Sequence, residues 1–553
     1  MPDPRAVLIR GGTVVDGTGT PGVPADVAVV ADRLVDPSEV PSDAAVLDAS
    51  GCVVAPGFID IHTHYDAQVF WDPALSPSCF HGVTTVVAGN CGFSIAPTRP
   101  EHREAVLRTL ENVEDMSFAT LSAGLSWDFE TFGEYLRSVE RSGPGLNFGA
   151  FVGHTPLRLY VMGFDAYERS ATPDEIAEMR RVLAESLRSG AVGFATSSAI
   201  THLGMDGLPI PSRFAEPDEV FALMEEVAAW GRGVIEVTAS DPRIAEELYS
   251  MQPGLGVPIT YGAILADPAR RWRERLDVHR RGVEAGADVW PQVTPRPLTF
   301  AFRMDDPFPL NSCPTFGELM TLSSGERAAR YRDPTWRERA RRAVEEMQVM
   351  RPRFDTYRIA GTGDEPAAGG TPLTTIAAER GVSLLDALLD VSADDPSVWV
   401  RSVALNDDPD DVAELLQAEH CALGLSDAGA HVGQLCDAPQ ATDLLAHWVR
   451  ERQVLPLEEA VRRLTSAQAD LFGFGDRGRL RPGLAADVVV FDPDTIAPGP
   501  IMSARDFPAD GIRLTAPEPS GVRHVLVNGS PIRIDELQVE AHGARPGRLV
   551  APA

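Results

Sequence analysis

The sequence contains no lysine, so all 49 of its basic side chains are arginine. That absence excludes a lysine Schiff base, a lysine general base and a carboxylated-lysine bridge between two metal ions. Positive charge is scarce altogether, because 80 acidic residues leave a net charge of −31. Such a balance argues against nucleic acid or an anionic membrane as a partner, and for a soluble, self-repelling protein. Cysteine is sparse too. Cys52, Cys79, Cys91, Cys313, Cys421 and Cys436 are scattered over 553 residues with no Cys-x-x-Cys, which excludes a disulfide framework and suits a reducing compartment. No run approaches the roughly 18 apolar residues of a transmembrane helix. The segment Met1 to Arg10 lacks the apolar core of a secretory leader. A cytoplasmic location is the expectation; the oligomeric state is left open.

What is present begins with short β-type runs between residues 6 and 55 (Ala6 to Ile9, Thr13 to Val15, Val27 to Val30, Ala45 to Leu47, Val53 to Ala55), separated by turns such as Asp16-Gly-Thr-Gly. They predict a small antiparallel sheet. The same texture returns at Val488-Val-Val-Phe, Val522 to Val527 and Pro531-Ile-Arg-Ile. Neither end has enough strands for a core, so residues 1–55 and 478–553 are expected to join in one β-domain, a small β-sandwich.

Between these ends, apolar runs alternate with helix-type segments. The runs are Val53 to His62, Val83 to Cys91, Leu146 to His154, Ala191 to Ser198, Gly233 to Ala239, Val257 to Leu265, Ala287 to Thr294 and Cys421 to Asp427. Eight is the strand number of a closed α/β barrel, so residues 56–477 predict a TIM-like (β/α)8 barrel. Asp174 to Ser189 carries Ile176, Met179, Val182, Leu183 and Leu187 at helical spacing, and Pro217 to Trp230 behaves alike. The stretch of about 298–416 is too long for one crossover and includes the arginine-rich Asp333 to Met350. It reads as an insertion over the barrel mouth that carries substrate contacts.

The densest chemistry lies in Pro56-Gly-Phe-Ile-Asp-Ile-His-Thr-His-Tyr-Asp. Side chains two apart on a strand share a face, so His62 and His64 converge, and neutral imidazole is a common ligand for zinc. An isolated His-x-His is more often a hydrogen-bonded pair; the lead-in and its partners turn the reading toward metal. In an α/β barrel the carboxyl ends of the strands carry the chemistry, which would gather His62 and His64 with Cys91, His154 and Asp427.

Together, Pro56-Gly-Phe-Ile-Asp-Ile-His-Thr-His, Gly82-Val-Thr-Thr-Val-Val-Ala-Gly-Asn-Cys-Gly and Leu425-Ser-Asp-Ala-Gly resemble the metal-dependent amidohydrolase superfamily, and Gly-Asn-Cys-Gly resembles its D-aminoacylase branch. The resemblance covers nearly the whole chain. It implies that His62 and His64 bind a divalent ion, that Cys91 supplies a thiolate, and that Asp427 is the general acid/base. It also implies hydrolysis of an amide C–N bond in a small N-acyl-(D-)amino acid. A cyclic amide, a dipeptide, or a non-hydrolytic role with a depleted metal site are the alternatives.

The chain departs from that pattern at the ends of strands five and six, where the branch carries metal-binding histidines and this sequence has none. One ion, zinc by its imidazole and thiolate donors, is therefore expected in place of two. Glu236 is a candidate carboxylate donor and Tyr261 a candidate hydrogen-bond donor to an oxyanion, with a purely structural role the alternative for each. His154 and His202 are placed to orient substrate, complete the metal shell or serve structure, His431 to share the site with Asp427 or cap the following helix, and His81 to pack. A substrate carboxylate calls for an arginine fork, for which Arg158, Arg213 and Arg296 follow strands three, four and seven.

Overall fold

The computed structural model describes residues 6–239, 241–311, 313–347, 351–362, 369–538 and 545–553. Residues 1–5 of the segment read for a leader, and 348–350 of the arginine-rich stretch, lie outside the described residues.

A nearly closed barrel of eight parallel strands forms the middle of the chain: β1 (Phe58–Asp60), β2 (Val83–Ala88), β3 (Asn147–Gly153), β4 (Gly193–Ser197), β5 (Val234–Thr238), β6 (Ile259–Gly262), β7 (Val289–Val293) and β8 (Ala422–Leu423). Each strand pairs with its neighbour in chain order. Across the remaining gap, beyond the ends of β1 and β8, Thr63 pairs with Ala428, and the His64 N–H donates to the Ala428 carbonyl at 2.8 Å. Every residue of β2, β3 and β4 is buried, which is why these strands read as continuous apolar runs and not as alternating ones. Two of the crossover helices are Pro173–Arg188 and Pro217–Trp230, where the periodicity places them. The first opens with a reciprocal cap between Thr172 and Glu175 and a proline in its first turn.

One apolar run divides. Val53–Pro56 lies antiparallel to Val488–Phe491 in the sheet of the chain ends, and the barrel strand begins only at Phe58. Gly57 makes the junction: a Cβ there would stand 2.2 Å from the Thr84 side chain.

Nine strands drawn from both chain ends lie in one sheet, and Met502–Phe507 and Gly511–Thr515 pair apart from it as a two-stranded sheet. The runs at Ala6 and Thr13 form a single strand, Ala6–Val14, with an irregularity between Ile9 and Gly12. The sheet is mixed and not purely antiparallel, because Ala45–Asp48 and Val53–Val54 run parallel to that strand. Side-chain alternation splits its faces. Val7, Ile9, Val29, Val54, Val488 and Val490 enclose a core of their own, while Val53, Ala55, Val489 and Phe491 join the core of the barrel. The last residues cross over to the barrel, where Phe148 of β3 exchanges backbone hydrogen bonds with Arg548 and Val550 at 2.9 and 3.0 Å.

Between β7 and β8, a four-stranded sheet (Leu298–Arg303, Trp399–Leu405, Arg358–Ile359, Thr371–Pro372) and its helices surround a separate core that includes Phe300, Phe302, Phe316, Trp336 and Leu388. Asn406 ties this insertion to the barrel mouth by donating to the carbonyls of Thr294 and Arg296 and accepting from the Ala266 N–H. No described helix is long and apolar enough to cross a membrane.

Candidate metal centre

At the carboxyl mouth of the barrel, His62, His64 and Cys91 bring their donor atoms within 4.8 Å of one another. The tautomer of His62 is set from behind. Thr260 donates its hydroxyl proton to the Trp290 carbonyl (2.9 Å) and so accepts from Gln292 Nε2 (3.3 Å). That turns Gln292 Oε1 toward His62 Nδ1 at 2.7 Å. Nδ1 must therefore carry the proton, and the Nε2 lone pair is left facing Cys91 Sγ at 3.5 Å. Burial drives the His62 pKa down to about 3, which keeps the imidazole neutral and able to ligate.

His64 is held differently. Its Nδ1 lies 3.0 Å from Glu114 Oε1, close enough to pair but too poorly aligned for a regular hydrogen bond, and Nε2 turns toward the centre. Burial by itself would depress His64; the Glu114 carboxylate outweighs it and holds the pKa raised. Carboxylate–imidazole pairs of this kind orient metal ligands and raise their basicity. Glu114 was missed in the sequence, although it follows Leu107 and Leu110 at helical spacing on the buried side of helix Arg103–Glu114. An acidic residue on an apolar helix face was the available signal.

Cys91 reaches the centre on a tight turn after β2, at φ +55°. Gly89, at φ +80°, permits the turn, since a Cβ would lie 2.6 Å from the Phe151 carbonyl. Glu236 on β5 fixes it by accepting from the Cys91 N–H at 3.0 Å. Its other oxygen accepts from Thr238 Oγ1 on the same strand at 2.8 Å, so each oxygen already holds a hydrogen bond. Burial pushes the Cys91 thiol up to about 12, so ligation would displace a proton from it. Two imidazole nitrogens and one sulfur, each with a buried partner, fit a borderline-soft divalent ion such as zinc.

Asp427 stands over this group. Its Oδ1 is 3.3 Å from His62 Nε2 and 3.9 Å from His64 Nε2, and 16% of its side chain stays exposed to the cavity. Burial raises its pKa to about 7 against the opposing pull of His64. The loop that carries it is constrained: Leu425, Asp427 and His431 all have positive φ, and Ser426 donates to the His62 carbonyl at 2.9 Å. Strained backbone of this kind persists where surrounding contacts over-determine it, as at functional sites.

A cavity of about 530 Å³ opens over these groups, lined also by His202, Tyr261 and His431. His202 is hydrogen-bonded to Ser197 at 2.7 Å and meets the Phe93 ring edge-on. Tyr261 is not free to donate into the cavity. His279 is held neutral by burial and gives its Nε2 proton to the Glu419 carbonyl (2.9 Å), so its Nδ1 accepts from Tyr249 (2.9 Å). Tyr249 in turn accepts from Tyr261 at 3.3 Å, leaving Tyr261 to present an acceptor. Tyr261→Phe is accordingly expected to avoid the roughly 10²- to 10³-fold fall in kcat that loss of an oxyanion donor brings, which steady-state kinetics will show.

The other candidates are engaged away from the cavity. His154 bridges Thr196 and Glu219 at 2.8 and 2.9 Å, and Arg158, fully buried, pairs with the same Glu219. These side chains lock helices to the barrel and cannot orient substrate. Arg158→Met is expected to destabilise the protein by about 3–5 kcal/mol, because it takes the guanidinium from the buried Glu219 carboxylate and leaves that carboxylate to His154. Chemical denaturation measures that loss, with activity per folded molecule retained. Arg296 is consumed by Asp437 (2.7 Å) and Asp443 (3.3 Å), and Arg213 reaches only the carbonyls of Ile200 and His202. His81 packs below, bonded to Thr442 and Ala516.

What the mouth of this barrel gathers is the equipment of a metal-dependent hydrolase acting on non-peptide carbon–nitrogen bonds. The chain belongs to the amidohydrolase family, whose model matches residues 45–349 and 368–533. Its similarity lies with the D-aminoacylase branch. It is 28% identical to the D-aminoacylase of Alcaligenes xylosoxydans xylosoxydans over 98% of this chain and 97% of that one. It is 30% identical to the N-acyl-D-glutamate deacylase of the same organism over 100% and 97%. Among solved structures, a D-aminoacylase described as having a binuclear metal centre, activated by one metal and attenuated by the second, superposes with a TM-score of 0.69 at 26% identity, covering 99% of each chain. The N-acyl-D-glutamate deacylase of Bordetella bronchiseptica, complexed with zinc and a phosphonate mimic of the tetrahedral intermediate, gives 0.69 at 29% identity, covering 98% of this chain and 99% of that one.

Proposed function

We propose that this chain hydrolyses the amide bond of a small N-acyl-D-amino acid at a centre holding one zinc ion. The observation that carries the reading is the convergence of His62, His64 and Cys91 within 4.8 Å beneath the Asp427 carboxylate. Zinc held by such a set supplies Lewis-acid polarisation of the amide carbonyl and makes a water more acidic. Asp427 is the group that moves the proton. With a pKa near neutrality it accepts a proton from the attacking water and returns it to the nitrogen of the departing amine. Gln292 and Glu114 keep the two imidazoles oriented, and Glu236 keeps Cys91 on its turn.

The proposal of one ion rests on β5 and β6. Thr238 and Gly262 are register partners facing the centre, and the Thr238 hydroxyl lies 3.4 Å from Cys91 Sγ. A Cβ on Gly262 would sit 3.7 Å from the His62 ring. Two positions from which side chains would reach a second ion thus hold a hydroxyl and no side chain. The deciding experiment assays purified, metal-analysed protein against N-acyl-D- and N-acyl-L-amino acids. Release of a carboxylic acid and a free D-amino acid is expected. Activity confined to cyclic amides or dipeptides, seen as a ring-opened acid or two amino acids, would contradict the reading.

A further inference from the structure

Arg158, Arg213 and Arg296 do not line the cavity: Arg158 and Arg296 are paired with carboxylates, and Arg213 donates to the carbonyls of Ile200 and His202. The cavity nevertheless has a cation. From the metal-ligating group it runs past Thr238, Gly262 and Ala263 to the helix Trp272–Glu284, where Arg275 lines it. Arg275 also lines the small recess that opens beyond Ala239 and Ala263, between the ends of β5 and β6.

Three observations single this residue out. Four arginines near it are neutralised, Arg270 and Arg273 by Asp411, Arg271 by Asp267 and Arg280 by Asp277, while Arg281 on the same helix is exposed to solvent. Arg275 is half-buried, yet among the described residues its side chain makes no hydrogen bond or ion pair. Other sheltered guanidinium groups without a carboxylate, those of Arg213, Arg327 and Arg533, are held by backbone carbonyls, whereas that of Arg275 is held by none, and Glu246 and Glu274, on the exposed rim of the same cavity, do not pair with it. Finally, the way to it is kept open. Gly262 lacks the positive φ that would demand glycine, so its missing side chain serves space: a Cβ would point between Thr238 and His62.

We propose that Arg275 binds the carboxylate of the substrate and sets a preference for acylated amino acids with a free acid group. This assignment rests on the amide-hydrolase reading above and names the residue that orients its substrate. A guanidinium accepts a carboxylate through two parallel N–H···O bonds, and one ordered at the cavity wall fixes both the distance and the orientation of the amide relative to Asp427.

The test uses the zinc-loaded full-length protein and a panel of N-acetyl-D-amino acids, each paired with its carboxamide. Hydrogen bonds to charged groups contribute about 1.5–3 kcal/mol, so Arg275→Met is expected to lower kcat/KM for the acids roughly 10- to 150-fold and to leave the carboxamides unchanged. Arg275→Lys, which keeps the charge without the fork, should fall between. An unchanged acid-to-amide ratio in Arg275→Met overturns the assignment, as does a wild-type protein that does not distinguish acid from amide. If no panel member is hydrolysed, the hydrolase reading fails separately, and calorimetric binding of the same pairs still decides. Weaker binding of the acids alone in Arg275→Met supports the carboxylate seat, and equal binding by both proteins overturns it.

Discussion

Replacing Asp427 by asparagine is expected to lower turnover roughly 10²- to 10⁴-fold while the protein stays folded and keeps its metal. The expectation follows from where the carboxylate stands. Asp427 is within 4 Å of both imidazole Nε2 atoms, but its loop is held by other groups: the Ser426 hydroxyl on the His62 carbonyl, and the Ala428 carbonyl on the His64 N–H. Asparagine is nearly isosteric and leaves those bonds in place. What it removes is a group that exchanges a proton near neutral pH, where burial has moved this carboxyl. The KM should change far less than kcat, because the proton transfer is made in the transition state and not on binding. Steady-state kinetics alongside metal analysis of the variant check both parts, and full activity in Asp427→Asn would exclude the carboxylate as the shuttle.

Cys91→Ala should fail in a different way. The thiol is one of three donors, and its removal leaves two imidazoles, so affinity for zinc should fall while the intrinsic chemistry survives. Loss of activity is expected at stoichiometric zinc, with partial recovery as zinc is added in excess. The backbone of residue 91 adopts φ +55° and donates to Glu236, and alanine keeps that donor, so a shift in zinc dependence can be assigned to the sulfur. Cys91→Ala with unchanged zinc affinity would make this cysteine a packing residue. The two variants thus separate a group that moves a proton from a group that holds an ion.

The barrel is legible in the sequence because parallel strands buried on both faces are predominantly apolar, and eight such runs recur between helix-type segments. His62, His64 and Cys91 are legible because spacing along one strand and a glycine-flanked turn are local properties. What local pattern does not carry is the destination of a long side chain. Arg158, Arg213 and Arg296 all follow strands at the chemical end of the barrel, yet whether each meets a carboxylate depends on residues such as Glu219, far away in the chain and set by packing. Glu114 escaped notice for the same reason, since its partner His64 comes 50 residues earlier and the two meet only when the helix after β2 packs over the mouth. Tyr261 shows a subtler limit. Its position at the cavity follows from the strand, but the direction of its proton is decided by a backbone carbonyl at Glu419, three hydrogen bonds away.

Titration of the metal-free protein with cobalt(II), followed by absorption spectroscopy, tests most directly the claim that three side chains of mixed character form one site. The account predicts saturation at one equivalent per chain, with a thiolate-to-cobalt charge-transfer band that is absent from Cys91→Ala. Saturation at two equivalents, or a spectrum without any thiolate band in the unaltered protein, would contradict it.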